Sequence, residues 1–209
     1  MRLPPPRAAT WLLGITIAAW VLTEALGLSV WASLRGGFVP GRVAGPEVVG
    51  AVPVWLSPLS ATLIHAGIIH LGFNMLMLAY CGRFVEYGIG ATGIVVLYVI
   101  GAYAAALFQY LAGPDVLIPM VGASGAISAV VGAYALLYSQ RRGVAATPGR
   151  KGHWVQVLWL AAGWIFVQLL VALATIASHV GIAVAAHIGG FIAGLLLARP
   201  LLLWRYRRA

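Results

Sequence analysis

Val121-Gly122-Ala123-Ser124-Gly125-Ala126-Ile127-Ser128-Ala129-Val130-Val131-Gly132-Ala133-Tyr134-Ala135-Leu136-Leu137-Tyr138-Ser139-Gln140 is a run of twenty residues without a charged side chain. About twenty apolar residues in a helix cross the ~30 Å hydrocarbon core of a bilayer. The run starts just after Pro119 and stops at Arg141-Arg142, so both of its limits are marked. Within it Ser124, Ser128 and Gly132 recur every four residues, a ridge of small side chains on one helical face. Such ridges are where membrane helices approach closely.

The same reading extends along the chain. Apolar segments at 10–31, 66–83, 91–112, 154–177 and 181–203 join 121–140, giving six spanning helices in one domain over 1–209. The fold class is all-α, a polytopic six-helix membrane bundle. Composition agrees: 62% of the 209 residues are hydrophobic and 8% charged, with a mean hydropathy of +0.98. Soluble domains carry roughly 25% charged residues, so a water-facing surface is excluded. The first apolar run, from Trp11, is longer than a signal-peptide core and lacks a small-x-small cleavage site, which reads as a retained helix. The stretch 32–65, with Gly36-Gly37, Pro40, Pro46, Pro53 and Pro58, is a long first loop. Its part from Val48 to Leu63, which includes Trp55, suits the membrane interface. Cys81 stands alone, which excludes an intrachain disulfide.

The net charge of +9 does not point to nucleic acid, because the cations sit at segment ends. With the N-terminus inside, eleven Lys and Arg fall on the inner side and only Arg35 and Arg42 on the outer. By the positive-inside rule both termini are cytoplasmic, the arrangement of a multi-pass protein of a bacterial inner membrane. Helices 2, 4 and 6 then enter from outside. His65, His70 and Asn74, then Ser124, then His187 come to one depth in the outer part of the membrane, His187 ~9 Å in at 1.5 Å per residue.

Polar groups in spanning segments are costly and mark function. A serine and a histidine at one depth suit a nucleophile and its base. Gly190 and Gly194 would let helix 6 dock on the Ser124, Ser128 and Gly132 ridge and bring His187 to Ser124. His70 and Asn74, four apart on one face, suit an oxyanion hole, helped by backbone N–H groups at Ser124. His65 reads better as a hydrogen bond holding the loop. Arg83 and Glu86 read as an interfacial pair, and Glu24 as a residue in need of a neighbour. Asp115 is not aimed at His187, so a dyad without aspartate is expected, and His153 and His179 lack partners at that depth.

Four pieces in order, His65-x4-His70-x3-Asn74, Gly82-Arg83-x2-Glu86, Gly122-Ala123-Ser124-Gly125 and Ala186-His187-x2-Gly190-x3-Gly194, make the chain resemble the rhomboid family of intramembrane serine proteases. The resemblance implies Ser124 as nucleophile and His187 as general base, with His70, Asn74 and the Ser124 N–H on the oxyanion. It implies supporting roles for His65, Gly122, Gly125, Gly190 and Gly194, an embedded first loop, and a fifth helix at a lateral gate. No cofactor or metal is implied, and the partners are transmembrane protein substrates and the bilayer, with no nucleic acid. Nothing in the sequence sets the oligomeric state.

Two positions depart from the family. Its Trp-Arg near the end of the first loop is here Trp55-Leu56, and the usual aromatic four residues after the nucleophile is Ser128. Two other classes fit the residues less well. One is a non-catalytic binder of transmembrane clients; the other is a haem or metal protein using His65, His70 and His187. There is no His-Glu-x-x-His motif for a zinc protease.

Overall fold

The computed structural model describes residues 7–45, 47–138, 155, 158–159, 161–166 and 183–207. Arg2, Arg141, Arg142, Arg150, Lys151, His153, His179 and Arg208, and most of the expected 154–177 segment, lie outside the described residues. The helices are α1 (Ala8–Ala25), α2 (Ser29–Gly36), α3 (Ser57–Ser60), α4 (Ile68–Met77), α5 (Arg83–Ala112), α6 (Ser124–Tyr138) and α7 (Val184–Arg205). Among the described residues the only bridge of β type is one antiparallel pair, Phe38 with Met120.

The protein wears its apolar side chains on both its inside and its outside. Trp11, Ile15 and Leu22 on α1, Leu107 and Leu111 on α5, and Leu196 and Leu203 on α7 are all exposed. A helix apolar all round belongs in lipid. The interior mixes large and small side chains: Ile94 and Leu97 of α5, Ala126, Ile127, Ala129 and Val130 of α6, and Ala198 of α7. Where lipid competes for apolar contact, close packing of small residues holds helices together.

A π-helical turn (Leu78–Gly82) joins α4 to α5, so the helix continues from residue 68 as far as Gly90. Gly90 breaks it, with φ +83° and ψ 168°. That conformation lies outside the range open to most L residues, and it turns the stretch 68–112 into two passes. The run read as 10–31 is likewise divided, since α1 closes at Ala25 and α2 starts at Ser29. Glu24, at that exit, accepts a hydrogen bond from Ser29 Oγ at 2.7 Å.

Glu86 carries the N-terminus of α1. Its Oε1 accepts from the Arg7 N–H (2.8 Å) and the Ala8 N–H (3.0 Å), and its Oε2 from the Ala9 N–H (2.9 Å). An apolar helix has no side chain of its own for these N–H groups. These backbone N–H groups of α1 are partners of Glu86 that the expected interfacial pairing with Arg83 did not include. Arg205, at the end of α7, donates to the carbonyls of Glu86 and Tyr87. The start of α1 and the end of α7 therefore share one face, and α4, α6 and α7 all begin at the other.

Candidate active site

α6 starts at Ser124 itself, and α7 at Val184, so His187 lies one turn in. The two helices meet backbone to backbone. A Cβ on Gly190 would stand 2.0 Å from the Gly125 carbonyl oxygen, and one on Gly194 would stand 2.1 Å from that of Ala129. From the other side, a Cβ on Gly132 would stand 2.4 Å from the Phe191 oxygen. Any side chain at these positions pushes α7 away. Gly125 adds a second contact, against Ala105 of α5.

That docking brings His187 Nε2 to 2.8 Å from Ser124 Oγ. Both residues are buried, 7% and 6% exposed, so this hydrogen bond is formed with little competition from water.

The turn before Ser124 is tied to the first loop. The Gly122 N–H donates to the Ala61 carbonyl at 2.9 Å, and the Ala123 N–H to His65 Nε2 at 3.3 Å. His65 is thus an acceptor that positions the entrance to α6, and its ring meets that of His70 edge-on with centroids 5.1 Å apart. Farther out, Phe38 and Met120 exchange backbone hydrogen bonds of 3.0 and 2.7 Å, and the Gly41 N–H donates to Val116. The first loop works as a brace for the strap that delivers the serine.

Gly122 takes φ +115°, and its bare α-carbon faces His70. A Cβ there would lie 2.7 Å from His70 Cε1 and 2.8 Å from Nε2, with Ser124 Oγ 3.7 Å away. His70 therefore lies beside the backbone that leads into Ser124. Asn74 is 2% exposed; its Nδ2 donates to the His70 carbonyl at 2.8 Å. That leaves one amide hydrogen uncommitted. At the first turn of α6, the N–H groups of Ser124 and Gly125 have no carbonyl four residues back within the helix.

Ser128 is where sequence reasoning missed a partner. Its hydroxyl donates to the Ser124 carbonyl at 2.7 Å and accepts from the Trp164 indole N–H at 2.6 Å. Trp164, in the helical stretch 161–166, is 3% exposed. The signal was present in principle: a serine buried on a helix face has hydrogen-bonding capacity beyond its own helix. Trp154, Trp159 and Trp164 each carry an indole N–H in that segment, and spacing does not choose among them.

Comparison with known proteins gives the family of the chain. A family model described as "Rhomboid domain" matches residues 53–204. The chain belongs to the rhomboid family. It is similar to a protein named Rhomboid protease GlpG from Yersinia pestis, 31% identical over 67% of this chain and 46% of the relative. It is similar to RHOMBOID-like protein 7 of Arabidopsis thaliana, 29% identical over 78% of this chain and 48% of the relative. Human Rhomboid-related protein 3 matches at 40% over 36% of this chain and 18% of the relative. The chain thus spans about half the length of the Yersinia and Arabidopsis relatives it matches. As a rhomboid with long apolar helices, it is an integral membrane protein. Among the described residues no three His, Cys, Asp or Glu side chains converge as a metal-ligand set.

Proposed function

We propose that this rhomboid is an intramembrane serine endopeptidase that hydrolyses peptide bonds in or near the transmembrane helices of its substrates. The observation that carries the reading is the buried 2.8 Å contact between Ser124 Oγ and His187 Nε2. Serine is a weak nucleophile until a base takes its proton. With the imidazole proton on Nδ1, Nε2 accepts the Ser124 hydroxyl hydrogen as Oγ bonds to the scissile carbonyl carbon. His187 then passes that proton to the amine as the C–N bond breaks. A water attacks the acyl-serine carbonyl, giving its proton to Nε2, which returns it to Ser124 Oγ as the ester C–O bond breaks.

The developing oxyanion needs donors already in place. Ser124 and Gly125 N–H at the start of α6, the side chain of His70 and the free amide hydrogen of Asn74 fill that role. Gly122, Gly190 and Gly194 set the distances, and His65 holds the strap. A substrate helix hides its carbonyls in its own hydrogen bonds, so the cleaved stretch is one that unwinds readily, near glycine or proline. The relatives' printed name, rhomboid protease, supports the reading. The charge bias of the sequence supports termini in the cytoplasm and a site opening outward.

The test is cleavage of a transmembrane reporter by the reconstituted protein. Ser124→Ala and His187→Ala should each abolish cleavage while the thermal unfolding midpoint stays near wild type. A fluorophosphonate should label the wild type at Ser124 and fail on both variants. Cleavage by Ser124→Ala at the wild-type rate would overturn the proposal.

A further inference from the structure

At the opposite end of the molecule lies a cleft of about 320 Å³, between the Gly90 break and the last turn of α7. Arg205 is eighteen residues beyond His187 on α7, ~27 Å along the helix axis, so the cleft is separate from the dyad. Arg205, Arg207, Trp204 and Thr92 are among the described residues that line it. Glu86, the nearest acid in sequence, has both oxygens committed to α1.

The two guanidinium groups are held in place by different means. Arg205 Nη1 donates to the carbonyls of Glu86 and Tyr87, which fixes the group while leaving donors on Nη2 and Nε. The Arg205 side chain runs past Gly90, where a Cβ would stand 3.5 Å from Cδ and 3.6 Å from Nε. The Arg207 guanidinium lies over the Trp204 ring, 5.4 Å from its centroid. Among the described residues no carboxylate lines the cleft, and two oriented guanidiniums there suit an anion with several oxygens, because the planar fork matches phosphate geometry. The Thr92 hydroxyl adds a neutral donor.

The wall of the cleft decides where that anion comes from. Ile89 and Trp204 are apolar, and the exposed Leu203 continues the surface toward the lipid-facing side of α7. Indole rings sit at the headgroup level of bilayers. We propose that this cleft binds the phosphate group of an anionic phospholipid, with Arg205 and Arg207 on the phosphate oxygens and Trp204 and Leu203 along the acyl chain. A choline headgroup brings its own cation to the same pair and is disfavoured.

The full chain, purified in detergent, is titrated with phosphatidylglycerol or phosphatidylcholine, and bound lipid is counted by native mass spectrometry. Phosphatidylglycerol should be retained and phosphatidylcholine lost. Arg207→Gln should weaken phosphatidylglycerol binding about fivefold, the effect of one cation at a membrane surface. Arg199→Gln removes a cation from the same helix end outside the cleft and should leave binding unchanged. If Arg205→Gln fails to fold, Arg207→Gln and Arg199→Gln still carry the test. Equal losses in those two variants, or equal retention of phosphatidylcholine, would overturn the site. Displacement by inorganic phosphate as effective as by phosphatidylglycerol would overturn its assignment to a lipid. The readout is lipid and not cleavage, so the result stands apart from the protease reading.

Discussion

The Trp164 indole N–H donates to Ser128 Oγ at 2.6 Å, and the same hydroxyl donates to the Ser124 carbonyl. One buried chain of hydrogen bonds therefore runs from the fifth apolar segment to the backbone of the serine at the candidate site. Ser128→Ala leaves the indole N–H buried without an acceptor, and Trp164→Phe removes the donor. A double-mutant cycle read by thermal unfolding in detergent should give a coupling of about 1 kcal/mol. Additive effects would show that the pair is not energetically linked. Ser128→Tyr, which restores the aromatic usual in the family, should destabilise by about 1–3 kcal/mol through overpacking. Ser128 is fully buried here, and its space is already shared with Trp164 and α7.

Gly190 and Gly194 set how closely α7 approaches α6, and with it the distance from His187 to Ser124. With Cβ positions 2.0 and 2.1 Å from carbonyl oxygens of α6, alanine at either site forces α7 outward. A displacement of about 1 Å costs on the order of a hundredfold in rate when reacting groups are misplaced. Gly190→Ala and Gly194→Ala should both lose cleavage to about that extent while remaining membrane-inserted and folded. Gly14→Ala, in α1 with nothing within 4 Å of its Cβ position, is the control. It should keep full activity and gain up to about 1 kcal/mol of stability. Loss of activity in Gly14→Ala as large as in Gly190→Ala would mean that the assay reports folding.

The sequence made the lipid-spanning character legible because hydropathy over twenty residues is a local property. Ser124, His187 and the docking glycines were legible for a similar reason: polar and small residues stand out against apolar runs. What did not show was any partner chosen by tertiary geometry. The Glu86 carboxylate caps a helix nearly eighty positions earlier, a use with no local signal around Glu86. The Phe38–Met120 bridge joins two loops with no periodic signal in either. Trp164 was one aromatic among several. The π turn at Leu78–Gly82 and the break at Gly90 alter helix phase, which a periodicity argument takes as constant.

His65 holds the strap before Ser124 by accepting the Ala123 N–H. His65→Ala removes that acceptor and opens a void beneath the first loop. The expected result is a stability loss of about 1–3 kcal/mol, the cost of a buried donor left unpaired. The turnover rate should fall while the KM for a transmembrane reporter changes little, because the strap positions Ser124, the proposed nucleophile, and not the substrate. His65→Gln, which retains an acceptor, should recover part of both losses. Unchanged kcat and unchanged unfolding in His65→Ala would remove the residue from the supporting set.

Glu86 offers a way to separate the stability of the bundle from the chemistry of the site. Its two oxygens accept three backbone N–H groups at the start of α1, on the face opposite Ser124. Hydrogen bonds to a charged acceptor contribute about 1.5–3 kcal/mol each, and the loss of several is not additive. Glu86→Ala should therefore lower stability by about 3 kcal/mol and release α1 first. Glu86→Gln should cost nearly as much, since its Nε2 places a donor against one of the N–H groups it replaces an acceptor for. Below the unfolding midpoint, fluorophosphonate labelling of Ser124 should proceed at the wild-type rate in both variants, because α4, α6 and α7 keep their contacts. A labelling rate that falls in step with α1 release would tie the cap to the dyad and contradict this separation.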